Sequence, residues 1–319
     1  MENEVTLDAK TIHWERAAIE KLLLADVRER RAARRWRMVK SLLWMLIFGA
    51  LIWLLARDQW SVTTTPSGPH TALVTIRGEI ADRSEASAEF VLPAMRSALE
   101  DSGTKALVLL INSPGGSPVQ AGLISDEIRR LRKKYDKPIY AVVEETCASA
   151  AYYIASAADN IYVDKASIVG SIGVLMDGFG FVGTMDKLGV ERRLLTAGAN
   201  KGFLDPFSPQ TETQKQFALT MLEQIHQQFI ASVKLGRGDR LKATPETFSG
   251  LFWTGEQAVG MGLADAYGSL DSVARDVVKA DKLVDYTNKE NLAERVAKRF
   301  GAALGEGAVA ALRALPALR

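Results

Sequence analysis

Residues 139–159, IYAVVEETCASAAYYIASAAD, decide the fold. Ile139, Tyr140, Ala141, Val142 and Val143 form a short, apolar, β-branched run just after the breaker Lys137-Pro138, the pattern of a buried parallel strand. Cys147, Ala148, Ser149, Ala150 and Ala151 carry only small side chains, which lets backbone approach backbone or a ligand. Tyr152, Tyr153, Ile154, Ala155 and Ala158 then suit a buried helix. Ser149 stands at the start of that helix, where unpaired N–H groups and the helix dipole favour a developing negative charge. The blander reading of a lone serine in this position is an N-cap.

Working outward toward the N-terminus, Ala106 to Ile111, ALVLLI, is apolar on both faces and predicts a central strand of a parallel sheet. Asn112-Ser113-Pro114-Gly115-Gly116 follows, and Ser117-Pro118 suits the N-cap and first position of a helix reaching Lys134, with Val119, Leu123, Ile128 and Leu131 inward. The glycine pair therefore lies in a strand-to-helix loop at the carboxyl edge of the sheet, where open α/β sheets bind ligands. It is read as a tight turn, as a phosphate cradle, or as an oxyanion hole. The phosphate reading is weak because no Gly-Lys-Ser/Thr or Gly-x-Gly-x-x-Gly pattern is present. One crossover helix separates the glycines from residues 139–143, so their strands are expected to be neighbours.

Thr71 to Gly78 predicts the first strand, Ser87 to Leu99 a helix, and Asn160 to Val163 and Val169 to Met176 further strands. Phe179 to Leu188 reads as a helix closed by Gly189, Glu191 to Thr196 as a strand, and 197–209 as an irregular stretch containing Lys201. Thr211 to Leu235 is a long helix with Phe217, Met221, Leu222, Ile225 and Phe229 inward. Short elements are expected from Thr254 (helix), Gly262 to Ala266 (strand), Leu270 to Lys279 (helix) and Leu283 to Tyr286 (strand).

Upstream, Arg28, Arg30, Arg31, Arg34, Arg35, Arg37 and Lys40 cluster before an uncharged run, Ser41 to Ala56. At ~1.5 Å per residue that run alone falls short of a ~30 Å hydrocarbon core, and Met38, Val39 and the stem of Lys40 extend it. Trp36, Trp44, Trp53 and Trp60 lie toward the two ends, as interfacial anchors would. A cleaved signal peptide fits less well, because a long polar segment precedes the run and no small-x-small site follows it. The expected organisation is a cytoplasmic basic segment (1–37), a transmembrane helix (38–56), a linker (57–70), one α/β domain (71–286) and a helical tail (287–319). The basic flank orients the domain across the membrane, on the periplasmic or extracellular side.

The 319 residues carry a net charge of +2, which makes no case for nucleic acid. The single cysteine, Cys147, excludes an internal disulfide framework, and His13, His70 and His226 have no metal-ligand spacing. No histidine is placed to serve Ser149: His13 precedes the apolar run, His70 is in the linker, and His226 is mid-helix. The remaining base is a lysine, which accepts a proton only when neutral. Burial or neighbours must then bring it down from its free value of ~10.4. Lys201, beside Gly202 and Phe203, is the candidate, although an isolated loop lysine is more commonly a solvated charge.

The segments INSPGGSPVQA (111–121), CASAAYYIASAAD (147–159), VGSIGV (169–174) and TAGANKG (196–202), in this order, resemble the signal peptide peptidase A family of membrane-bound serine proteases. The resemblance covers roughly Thr71 to Val284 and implies a domain of the ClpP/crotonase type, with parallel sheets and flanking helices. By matching positions it implies that Ser149 is the nucleophile, Lys201 the general base and Ser171 the serine that orients the lysine. Gly116 and the N–H of Ala150 match the oxyanion hole. The family pattern has Gly-Gly after the nucleophile where this chain has Ala150-Ala151, and the backbone donor survives if φ stays negative. The resemblance implies apolar peptide substrates such as remnant signal peptides, no cofactor and no metal, and a homo-oligomer with active sites at subunit interfaces. A reading from another class is a membrane-tethered crotonase-like scaffold or acyl-binding protein without proteolysis.

Overall fold

The structure is a computed structural model that describes residues 34–50, 53 and 68–288. Residues 34–50 form one continuous helix with exposed side chains. Among the described residues no helix is long and apolar enough to cross a membrane. Most of the remainder of the expected span, most of the linker and all of the expected helical tail beyond residue 288 lie outside the described residues.

The α/β unit is organised on an eight-stranded, mostly parallel sheet. Its order of elements begins β1 (His70–Arg77), α1 (Ala88–Glu100), β2 (Thr104–Ser113), α2 (Pro118–Lys134), β3 (Ile139–Ala148) and α3 (Ala150–Ala155). It continues with β4 (Asn160–Val163), β5 (Ile168–Gly170), α4 (Val182–Leu188), α5 (Glu212–Arg237) and β6 (Phe252–Thr254). The last elements are α6 (Gly255–Gly260), β7 (Ala266–Tyr267), α7 (Leu270–Ser272), which runs into a π turn over Val273–Val278, and β8 (Leu283–Asp285). The main path is β6-β5-β3-β2-β1-β8, with β4 beside β3 and β7 beside β4; only the β5–β6 pair is antiparallel.

β2 shows why a run apolar on both faces belongs in the middle. Leu107, Leu109 and Ile111 enter the large core shared with the helices, whereas Val108 and Leu110 enter a smaller one with Val142 and Val273. Side chains alternate across a strand, so both faces must be covered. α1 packs on β1 and β2, and α2 packs between α1 and α3. Ser117 caps α2 by accepting from the Gln120 N–H, Pro118 occupies its first turn, and Arg132, Lys133 and Lys134 occupy its last.

β3 runs past its expected end at Val143. Ile111 pairs with Val143, yet Ser113 pairs with Cys147, so residues 144–146 form a bulge that re-aims the strand. Before the bulge β3 pairs with β4, and after it with β5. The bulge thus brings Cys147 level with Ser113 and delivers Ser149 to the loop that follows β2.

Several expectations are corrected. Val119 and Leu123 are 67% and 50% exposed, while Ala121, Ile124, Ile128 and Leu131 are buried. At about 100° per residue, Val119 and Leu123 stand about 200° from Ala121, on the opposite side of α2. In α5 the core begins at Phe229 and continues through Ile230 and Val233, whereas Phe217 is 63% exposed. The first half of α5 therefore leaves the core. The strand expected over 169–176 stops at Gly170, because Ser171 takes φ 50° and gives its N–H to Leu251 O. Residues 191–196 form no strand and are exposed, and α4 starts at Val182 rather than Phe179. His70 opens β1 as a fully buried residue, held near Gly68 O, Thr104 Oγ1 and the Tyr286 hydroxyl.

The end of α5 is fastened to the sheet by Arg237, a fully buried arginine. It donates to both Asp265 oxygens at 2.8 Å and to Gly262 O at 2.8 Å, while Asp265 accepts from the Ile161 N–H at 2.7 Å. Burial pushes the Asp265 carboxyl up, but hydrogen bonds from Arg237 and Ile161 and the charges of Arg237 and Arg240 outweigh it and hold the group below its ordinary value. A carboxylate held low adds stability above its unfolded-state pKa, and loses it as pH falls through the folded one. Arg237→Met leaves Asp265 to Arg240 and the Ile161 N–H and takes the donor from Gly262 O, so urea unfolding at neutral pH should show a loss of about 1.5–3 kcal/mol. The difference from the parent chain should shrink below about pH 4, as Asp265 takes a proton.

Candidate active site

Ser149 occupies the junction of β3 and α3 in an uncommon conformation, φ 53° and ψ −123°. Such a conformation costs a non-glycine residue on the order of 1–3 kcal/mol and persists only where the surroundings impose it. Here the Ser149 N–H donates to Gly170 O at 2.8 Å, and the Ser149 carbonyl accepts from Tyr153 N–H at 3.0 Å. The backbone is thereby clamped on both sides, and the half-buried side chain makes no hydrogen bond among the described residues. Ser149 does not cap α3 with its hydroxyl, so the bland N-cap reading does not hold.

The Gly115-Gly116 loop lies directly against this turn. A Cβ added at Gly115 would fall 2.6 Å from the Ser149 Cβ and 3.0 Å from the Ala150 nitrogen, and one at Gly116 would collide with the Ile80 carbonyl. Both glycines have positive φ, 108° and 142°. Close approach and backbone shape together demand glycine at these two positions. Neither Gly116 N–H nor Ala150 N–H donates a hydrogen bond among the described residues. Ala150 and Ala151 are helical and absent from the positive-φ residues, so the substitution for Gly-Gly leaves the Ala150 donor in ordinary helical geometry.

Ser171 follows Gly170, whose carbonyl holds Ser149, and so it is tied to the same turn through one peptide unit. Its own backbone is strained (φ 50°), and its hydroxyl makes no hydrogen bond among the described residues. Lys201 stands apart in an exposed turn: its N–H donates to Gly198 O at 3.1 Å, and its ammonium makes no ion pair or hydrogen bond among the described residues. The structure thus gathers Ser149, Ala150, Gly116 and Ser171, and leaves Lys201 on the segment 197–209. Cys147, fully buried, has its thiol pushed far up by burial, which makes it an inert core group.

Three supports of the site were not read from the sequence. The indole of Trp253 on β6 packs where a Cβ at Gly170 would stand, 2.8 Å from Trp253 Cδ1, and so braces the residue that holds Ser149. His226 on α5 lies 3.1 Å from Ile172 O through its Nε2, tethering the residue after Ser171. Ser113 accepts the Gly115 N–H at 3.1 Å. Each is a long-range or loop contact with no periodic signature; only the recurrence of glycine at 170 and 173 hinted at close approach there.

The model of Peptidase family S49 matches residues 131–285, which contain Ser149, Ser171 and Lys201. Over 181 residues the chain is 44% identical to a protein of Brucella abortus named Na(+)/H(+) antiporter NhaA, a match covering 57% of this chain and 25% of that protein. It is 30% identical over 222 residues to a protein of Enterococcus faecium named "Putative signal peptide peptidase SppA", covering 67% of this chain and 64% of the relative. It is 27% identical over 248 residues to the chloroplastic serine protease SPPA of Arabidopsis thaliana, covering 74% of this chain and 36% of the relative. The chain therefore spans between a quarter and just under two thirds of the length of these relatives. With the family match lying across the strand, turn and helix that present Ser149, the chain belongs to peptidase family S49.

Proposed function

We propose that the chain is a membrane-anchored serine endopeptidase with a domain of the ClpP/crotonase type, which cleaves apolar peptides such as remnant signal peptides with a Ser149–Lys201 dyad. The observation that carries the reading is the clamped turn at Ser149, with an unengaged hydroxyl set against two unengaged N–H groups. In the proposed reaction Ser149 Oγ attacks the peptide carbonyl and its proton passes to neutral Lys201. The carbonyl oxygen, now an oxyanion, is held by the N–H groups of Gly116 and Ala150. Lys201 then protonates the leaving amine as the C–N bond breaks, and water, deprotonated by the same lysine, releases the acyl group. Ser171 orients the lysine. No cofactor takes part.

Assembly belongs to the same proposal. Leu175, Phe179, Leu188 and Leu195 are exposed, the last at 96%, and the groove of about 900 Å³ between residues 176–183, the 202–210 loop and α5 is mainly apolar. Exposed apolar surface of this kind, on the segment that carries Lys201, favours contact with a neighbouring copy. A second subunit would cover Lys201 and bring it to a serine. Mixing Ser149→Ala chains with Lys201→Ala chains, each inactive alone, is expected to restore part of the peptide cleavage. Co-assembly of the two tagged chains with no return of activity would show that Lys201 serves the serine of its own subunit. Substantial turnover by Lys201→Ala alone would remove the dyad and favour a different base.

The anchor and orientation rest on the basic cluster before residue 41 and the uncharged run after it. A periplasmic-active reporter fused after Arg319 should be active, and protease added to spheroplasts should digest the α/β unit. Protection of that unit would reverse the orientation and revive the acyl-binding alternative.

A further inference from the structure

The loop that carries Gly116 has one backbone donor to spare, because its other backbone donors are tied down. Ile80 N–H donates to Gly115 O at 2.8 Å, and Ser117 N–H donates to Ile80 O at 2.7 Å. Pro114 has no N–H to give. Gly115 N–H donates to Ser113 Oγ at 3.1 Å. Between Pro114 and Ser117 only the Gly116 N–H remains unengaged among the described residues.

Gly116 N–H belongs to the peptide plane between Gly115 and Gly116. With no Cβ on either side, that plane rotates at little steric cost. Two contacts restrain it: Ile80 holds the carbonyl of the plane itself, and Ser113 holds the preceding plane by its N–H. Ile80 acts through backbone, so Ser113 supplies the side-chain restraint. Ser113 is fully buried at the end of β2, level with Cys147, where no water replaces its hydroxyl at low cost. Without it, Gly115 N–H is a buried orphan, and the loop gains by turning to find another acceptor.

We propose that Ser113 is a positioning residue for catalysis: its hydroxyl, by holding Gly115 N–H, fixes the peptide that aims Gly116 N–H at the oxyanion. It touches neither substrate nor the reacting atoms. The inference rests on the peptidase reading above and assigns a role to a serine that reading leaves unused.

The test uses the full chain, with active sites counted by a fluorophosphonate probe and rates measured on a fluorogenic apolar peptide. Ser113→Ala should lower kcat per titrated site about tenfold or more, less than the ~10²–10³ lost with an oxyanion donor itself. KM should stay within about twofold, and a peptide aldehyde, whose adduct carries an oxyanion, should bind more weakly by the same factor as kcat falls. Ser113→Thr, which keeps the hydroxyl, should retain most of the activity that Ser113→Val, of similar volume, loses. An unchanged kcat per site in Ser113→Ala, or a rise in KM alone, overturns the proposal. So does a set of variants in which every loss follows the amount of folded protein, which would make Ser113 purely structural. Failure of the parent chain to label at Ser149 would instead defeat the peptidase reading on which the inference rests.

Discussion

The hydrogen bond from Ser149 N–H to Gly170 O fixes the turn on which the rest of the site depends. A serine at φ 53° returns to a relaxed conformation unless something opposes it. The opposition comes from three sides. β5, which supplies Gly170, is braced by Trp253; Gly115 packs against the Ser149 side chain; and α3 begins immediately at Ala150, itself buried. The bulge at residues 144–146 makes this possible by shifting β3 from β4 to β5 within one strand. The site is thus built at the place where the sheet changes partners, and the strain at Ser149 is held by ordinary packing elsewhere.

The parts of this arrangement that follow from local chemistry were legible in the sequence. ALVLLI reads as a two-faced central strand, and Ser117-Pro118 reads as the start of α2, because cap and strand patterns are set by the residues themselves. The proximity of the Gly115-Gly116 loop to Ser149 was legible as well, since one crossover joins their strands. What escaped depends on partners remote in sequence. The extension of β3 through Glu144-Glu145-Thr146 breaks the apolar pattern and needs β5 to exist. The early end of β5 depends on Leu251, and the exposure of Phe217 depends on how far α5 outruns the core. Trp253, His226 and Ser113 leave no periodic trace, and a buried His70 at the start of β1 reads as linker when its partners, Thr104 and Tyr286, lie far along the chain.

Residues 171–210 have a different character from the rest of the unit. Their one regular element is α4, and they carry several exposed large apolar side chains and Lys201, whose ammonium is unpaired among the described residues. A segment that exposes this much apolar surface lowers its free energy by being covered. In the proposed oligomer the same event hides the apolar side chains and removes water from the lysine, so assembly and activation would be one step. The clamped serine and its donors need no such help, because they are fixed within one chain.

The proposed nucleophile, Ser149, stands in a site formed before substrate arrives. The most direct measurement of that role is reaction of the purified full chain with a fluorophosphonate probe, followed by peptide mass mapping of the adduct. One adduct per chain is expected, on Ser149, formed by the folded protein and abolished by prior unfolding. Labelling on another serine, or none on a folded chain that cleaves peptide, would contradict it.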